Sequence, residues 1–201
     1  MADDLRHPVI VDTDALIAVA NTQLWQTIVD SLNLTTTNVC IQELKRHVRD
    51  RSEYAAGGTR DHWVYTGSEA ALTPFEDDSN DSFTVVPSVP RPHGEDAGEK
   101  SLKQEVAQYP SEYTYAISMD RNGRIAINRA FEETGAAGKA VAPPFLLYLL
   151  LDAGACTKEE FCRACGELLR GEGWTGYQAV QAAWEAIPVD CSEYLSEDVL
   201  P

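Results

Sequence analysis

Pro8-Val-Ile-Val-Asp12-Thr13-Asp14-Ala-Leu16 is the stretch on which the fold turns. Val9, Ile10 and Val11 form a short apolar run without polar alternation, the pattern of a strand buried on both faces of a parallel sheet. The run stops at an acid, Asp12, and from 14 to 20 the apolar residues recur at helical spacing. A strand, an acid and a helix in that order make the first unit of an alternating strand–helix chain.

Outward from that unit the pattern repeats. A second helix is expected at 23–32 behind Asn21 or Thr22, and residues 34–37 read as a second strand. Asn38 offers an N-cap for a helix at 39–49. A further helix is expected at 62–72 and a third strand at 83–86. The loop that follows holds Pro87, Pro90 and Pro92 and leads into a helix at 96–108. A fourth strand at 113–119, a helix at 122–134 ending before Gly135 and a fifth strand at 139–141 complete the series. The C-terminal third reads as helices. Pro143-Pro144 opens one, Thr157 caps another at 158–170, and a last one spans 176–187. These elements predict an α/β fold: three layers, α/β/α, around a central, mainly parallel sheet of about five strands. One domain is expected over 1–187, with an extended helical and loop insertion at 50–94, followed by an acidic, turn-rich tail at 188–201.

The 201 residues suffice for one domain with a sizeable core. Lys and Arg total 16 against 32 Asp and Glu, a formal net charge of −16. Only five of the cations are lysine, and the acids are dispersed along the chain. Dispersed carboxylates with little lysine keep a protein hydrated in multimolar cytoplasmic salt, so an extreme halophile is the expected source. At such salt the Debye length falls below about 3 Å, and this charge would not repel a polyanion over any distance. The N-terminus is acidic and the longest apolar stretch, 143–151, is too short to span a bilayer. A cytoplasmic protein without a membrane partner is expected. Cys40, Cys156, Cys162, Cys165 and Cys191 then argue against a disulfide framework. Cys162-Arg-Ala-Cys165 lacks a second zinc-type pair and reads as core cysteines on a helix face.

In parallel sheets, ligands bind beyond the carboxyl ends of the strands. Four acids fall there. Asp12 ends the first strand and Asp120 the fourth, while Glu43 and Glu99 lie in the helices after the second and third. Carboxylates converging on one edge repel one another, and a divalent cation neutralises them. Oxygen-only ligands suit Mg²⁺ or Mn²⁺, and a metal-bound water can attack a phosphodiester. Singly, each acid has a structural reading: Asp14 and Asp96 as helix caps, Glu43 as a solvated side chain. Joint placement at successive strand–helix crossings is what favours the metal site.

The motifs Val-Ile-Val-Asp12-Thr13-Asp14, Asn38-Val-Cys-Ile-Gln-Glu43-Leu, Asp96-Ala-Gly-Glu99-Lys-Ser-Leu and Asp120-Arg121-x-x-Arg124 together resemble the PIN domain. Similarity is greatest to its VapC-toxin-like prokaryotic branch and covers residues 8–186. The resemblance implies a Mg²⁺- or Mn²⁺-dependent endoribonuclease, such as the toxin of a toxin–antitoxin pair. Asp12, Glu43, Glu99 and Asp120 would be the catalytic, metal-binding acids and Thr13, Asp14 and Asp96 supporting groups. Arg121 and Arg124 are candidate contacts to RNA phosphate, or else salt-bridge partners of the acidic rim. RNA, an antitoxin protein and a second copy of the chain are the partners implied, with Trp25, Trp63 or the 145–151 helix as dimer contacts. Two departures stand out. Relatives often carry two acids at the fourth site, where Met119 here precedes Asp120, and the 50–91 segment is longer than in compact toxins. Two other readings remain open. One is a PIN fold kept as a non-catalytic binding module. The other is a haloacid-dehalogenase-type phosphatase with Asp12 as nucleophile and Asp14 as general acid, although Leu16 and the lack of a later acidic pair fit it poorly.

Overall fold

A computed structural model describes residues 8–50, 59–94, 96–170 and 177–194. Its order is β1 (Val9–Val11), α1 (Thr13–Ala20), α2 (Trp25–Ser31), β2 (Leu34–Thr37), α3 (Asn38–Arg49) and α4 (Thr59–Glu76). There follow β3 (Phe83–Val86), α5 (Ala97–Gln108), a 3₁₀ turn (Pro110–Glu112), β4 (Tyr115–Ile117) and α6 (Arg121–Thr134). The chain continues through β5 (Lys139–Val141), α7 (Pro143–Asp152), α8 (Lys158–Arg170) and α9 (Tyr177–Glu185). The five strands lie in the order β3-β2-β1-β4-β5, and every pairing is parallel. This is the expected three-layer α/β/α fold.

Alternation along the short strands divides the core in two. Val9, Val11, Leu34 and Ile117 pack on one face with α1, α2, α4, α7 and α8. Ile10, Ala116 and Ala140 point to the other, where Leu102, Val106, Ile127 and Phe131 of α5 and α6 cover them. The polar strand β2 is buried throughout. Two of its hydroxyls find partners: Thr36 Oγ1 donates to the Val11 carbonyl at 2.7 Å, and Thr37 Oγ1 lies 2.6 Å from Ser101 Oγ. The order reverses at β1, since β3 and β4 lie on opposite sides of it. The β1/β4 carboxyl edge is therefore the switch point where parallel sheets place their ligands.

The caps differ from expectation in detail. Thr37, and not Asn38, caps α3 through Cys40 N–H, and Asp12, not Asp14, caps α1. Gly135 ends α6 at φ +70°, a left-handed turn that glycine adopts without a Cβ clash. Within the expected insertion, residues 51–58 lie outside the described segments, and α4 packs directly on α1. A Cβ at Gly67 would come within 2.5 Å of the Ile17 carbonyl, so glycine is what lets the two helices approach. Asn21 Nδ2 ties them further, donating to Ile17 O and Trp63 O at 2.8 and 2.9 Å. Trp25 and Trp63, considered as exposed dimer contacts, are half-buried against the core, and most of α7 is core.

The cysteine expectation is corrected. Cys162 and Cys191 form a disulfide, with Cα atoms 5.4 Å apart and a sequence separation of 29. After α9 the chain folds back over α8, burying Ile187 and Cys191 in the same core as Cys165. A pairing made by that return is invisible to motif spacing. Cys165 is a free core cysteine, as read. Among the described residues no helix is long and apolar enough to cross a membrane.

Candidate metal centre

Asp12 leaves β1 directly into α1, and its Oδ1 accepts from Ala15 N–H at 2.7 Å. The side chain is 3% exposed. Its neighbour Thr13 donates its hydroxyl to Glu43 Oε2 at 2.5 Å, which brings the α3 acid to the β1 edge. Glu43 in turn lies over Gly98 of α5: a Cβ there would stand 2.8 Å from Glu43 Oε2. Glu99 lies over Gly123 of α6 in the same way, with Oε2 2.9 Å from where a Cβ would be. Asp120 closes the circuit, capping α6 by accepting from Gly123 N–H at 2.5 Å. Four helices thus hand four carboxyl groups to one edge of the sheet, and two glycines leave room for them.

A pocket of about 260 Å³ is lined by Asp12, Thr13, Asp14, Glu43, Asp96 and Glu99, with Arg46, His47 and Gly98. Asp120 stands just outside it, on a neighbouring groove of about 830 Å³ that shares Asp14. Asp96 occupies the N-cap position of α5 with φ +58°, and its side chain makes no capping bond. Left-handed backbone, which aspartate tolerates better than most residues, turns it to the pocket and not to the helix. The expected capping role is therefore absent, while its place beside Glu99 stands.

The electrostatics follow from burial. Asp12 is pushed up to about 8, first by desolvation and then by the charge of Asp14, against the hydrogen bonds of Ser118 and Ala15. Glu99 is pushed up to about 7 by desolvation and by the charges of Asp120, Asp96 and Asp14, with Arg124 opposing. His47 is pulled down by burial and by Arg46. Among the described residues no ion pair joins a cation to any of the four acids. Arg124 instead donates Nη1 to the carbonyls of Ser118 and Met119, both at 2.8 Å, so the expected salt bridge to the rim is not made. Arg121 is exposed, and Met119 is buried in the core, adding no oxygen to the site.

An oxygen-only set of carboxylates, with Asp12 and Glu99 raised by burial and by neighbouring acids, fits a divalent cation of the Mg²⁺ or Mn²⁺ kind, which relieves the repulsion. Among the described residues no three acid, His or Cys groups are gathered closely enough to grip an ion together. Arg46, His47, Gly98, Gly123 and Ser118 were not singled out in the sequence. Arg46 follows Glu43 at i+3 and shares its helix face, a signal that could have been read. The glycines carried none beyond standing next to, or three residues after, an acid.

A parallel sheet ordered 3-2-1-4-5, with acids at its carboxyl edge, accords with the nuclease-type fold of PIN proteins. The chain belongs to the Halobacterial PIN domain family, whose model matches residues 1–201. That membership accords with the net charge of −16 and with the expected halophilic source. No curated protein and no solved structure matches the chain.

Proposed function

We propose that this protein is a Mg²⁺- or Mn²⁺-dependent endoribonuclease using Asp12, Glu43, Glu99 and Asp120. The observation that carries the reading is the convergence of these four acids, two of them held up toward neutral pH, on the β1/β4 switch point. The ion, when bound, would polarise a water for attack on a phosphodiester and stabilise charge developing on the phosphoryl oxygens. Few carboxylates would ligate it directly, with waters completing its shell as Mg²⁺ prefers. Thr13 orients Glu43, and the Asp12 and Asp120 carboxyls are fixed by the helix N–H groups they accept from. Asp14 and Asp96 add negative charge at the mouth and raise affinity for a cation. Arg121, exposed on the groove rim, would meet a phosphate, while Arg124 braces the β4–α6 turn.

RNA is the substrate class of this reading, and an antitoxin protein and a second copy of the chain are its further partners. The test is cleavage of a mixed RNA pool in multimolar KCl with Mn²⁺, for wild type and Glu43→Gln. Cleavage that needs both metal and Glu43 supports the proposal. Saturable Mn²⁺ binding without cleavage of any RNA across pH 6–9 would leave a binding module and remove the enzyme. Metal binding unaffected by Glu43→Gln would favour a phosphatase-like use of Asp12.

A further inference from the structure

The larger groove beside the acids is not accounted for by metal binding. About 830 Å³ in volume, it runs from Asp14 and Asp120 between the start of α6 and the helices α7 and α9. Its walls are mostly carbon: Met119, Val141, Phe145, Tyr148, Ala183 and Ile187. Phe145 and Tyr148 are both half-buried, with ring centroids 5.9 Å apart, and Tyr115 backs Phe145 at 5.0 Å. Arg121 and Arg124 stand on the rim next to Asp120. An open groove of this size is ordinary for a small-molecule or nucleotide site and large for a packing defect.

Charge and salt narrow the occupant. A chain of net charge −16 that works in multimolar salt gains almost nothing from long-range attraction to a polyanion. Contacts that survive those conditions are short-range ones, of which base stacking on aromatic rings is the sequence-tolerant kind. The geometry points to a nucleobase subsite: a base of single-stranded RNA next to the scissile phosphate stacks in the Phe145/Tyr148 groove while Arg121 meets the adjoining phosphate. This rests on the ribonuclease reading and deepens it by assigning the groove beside the acids to the base of the neighbouring nucleotide. The groove's continuity with the acids through Asp14 and Asp120 is what places a base and a reacting phosphate on neighbouring nucleotides.

The probe is a fluorescein-labelled 2′-O-methyl tetranucleotide, which resists cleavage, titrated by anisotropy in 2 M KCl with Mn²⁺. An abasic tetranucleotide of the same backbone is the control. Phe145→Leu removes the ring at similar volume, and Ala183→Leu fills the groove from a half-exposed helix position. Each variant is expected to bind the base-bearing probe about tenfold more weakly, with Mn²⁺ titration curves and thermal midpoints close to wild type. The abasic probe should bind wild type and both variants equally weakly. Wild-type affinity in both variants, or equal preference for both probes, overturns the subsite. A drop from dimer to monomer in light scattering for either variant also overturns it, marking the groove as a contact between copies. The ribonuclease reading fails separately, by absence of metal-dependent cleavage in wild type.

Discussion

On the α3 side of the carboxylate edge the surface gathers Arg46, Arg49, Arg91 and His93 around a groove of about 320 Å³. On the α6 side the larger groove is walled by Met119, Phe145, Tyr148 and Ile187, with arginine only at its rim. The first side is built from ionic groups in a chain with few cations, the second from carbon. At low salt the arginine side would dominate polyanion binding; in multimolar salt screening confines it to direct contacts, whereas stacking is not screened. On the ribonuclease proposal, one flank guides a backbone at contact range and the other holds a base.

The edge between the two flanks gives the largest expected effect. On the ribonuclease proposal, Asp12→Asn should lower cleavage by more than about a hundredfold, since a proposed ligand and its charge are lost. Asparagine still caps α1, so the metal-free thermal midpoint should stay equal or rise as repulsion is relieved. A large fall in the midpoint would make Asp12 structural. The sign of the pH dependence follows from the same burial. Asp12 and Glu99 sit above their unfolded values, at about 8 and about 7, so the unfolded chain loses their protons first. Their contribution to stability is complete below about pH 4 and is lost as pH rises through 7 to 8. Without metal, the midpoint should therefore decline between pH 5 and pH 8 in wild type, less so in Asp12→Asn. Saturating Mn²⁺ should reverse the trend.

The carbon flank can be loosened without touching the edge. Ile187 and Pro188 line the large groove a few residues before Cys191, which is tied to Cys162. Removing the disulfide as Cys162→Ser/Cys191→Ser should cost roughly 3–4 kcal/mol by the chain-entropy relation for a loop of this length. Oligonucleotide binding should weaken while Mn²⁺ affinity holds, and loss of both would mean that the flanks are not separable. Gly98→Ala tests the opposite case. Its new methyl group would displace the flexible end of Glu43 and not the backbone. Mn²⁺ affinity should fall about tenfold with little change in stability. The smallest effect is expected from Arg46→Ala, at most about twofold on KM in multimolar KCl and growing as salt is lowered. A large effect at high salt would reverse the ranking of the two flanks.

The sheet was legible because each strand is a short apolar or β-branched run closed by a polar or proline signal. Even the polar strand β2 fits this, since Thr35, Thr36 and Thr37 are β-branched. The helices follow from equally local patterns, as the Gly135 stop and the Pro143 start illustrate. The positions of the four acids at the sheet edge were legible because parallel topology makes strand ends, and the first turns of the helices after them, predictable. What escaped were features set by the return of distant chain: the Cys162–Cys191 bond and the groove that α9 closes over β5. The part played by Gly98 and Gly123 also escaped, because a missing Cβ matters only once the opposing carboxylate is placed.

Whether the buried edge binds a metal is decided by a Mn²⁺ titration by calorimetry at pH 6.5 in two buffers of different ionisation enthalpy, which counts protons released on binding. If the edge takes up the ion, carboxyls held at about 7 and about 8 must deprotonate. Saturable binding should then release roughly one proton or more, and the release should shrink in Asp12→Asn. Binding that Asp12→Asn leaves unchanged, or no binding at millimolar Mn²⁺, would contradict a metal site at this edge.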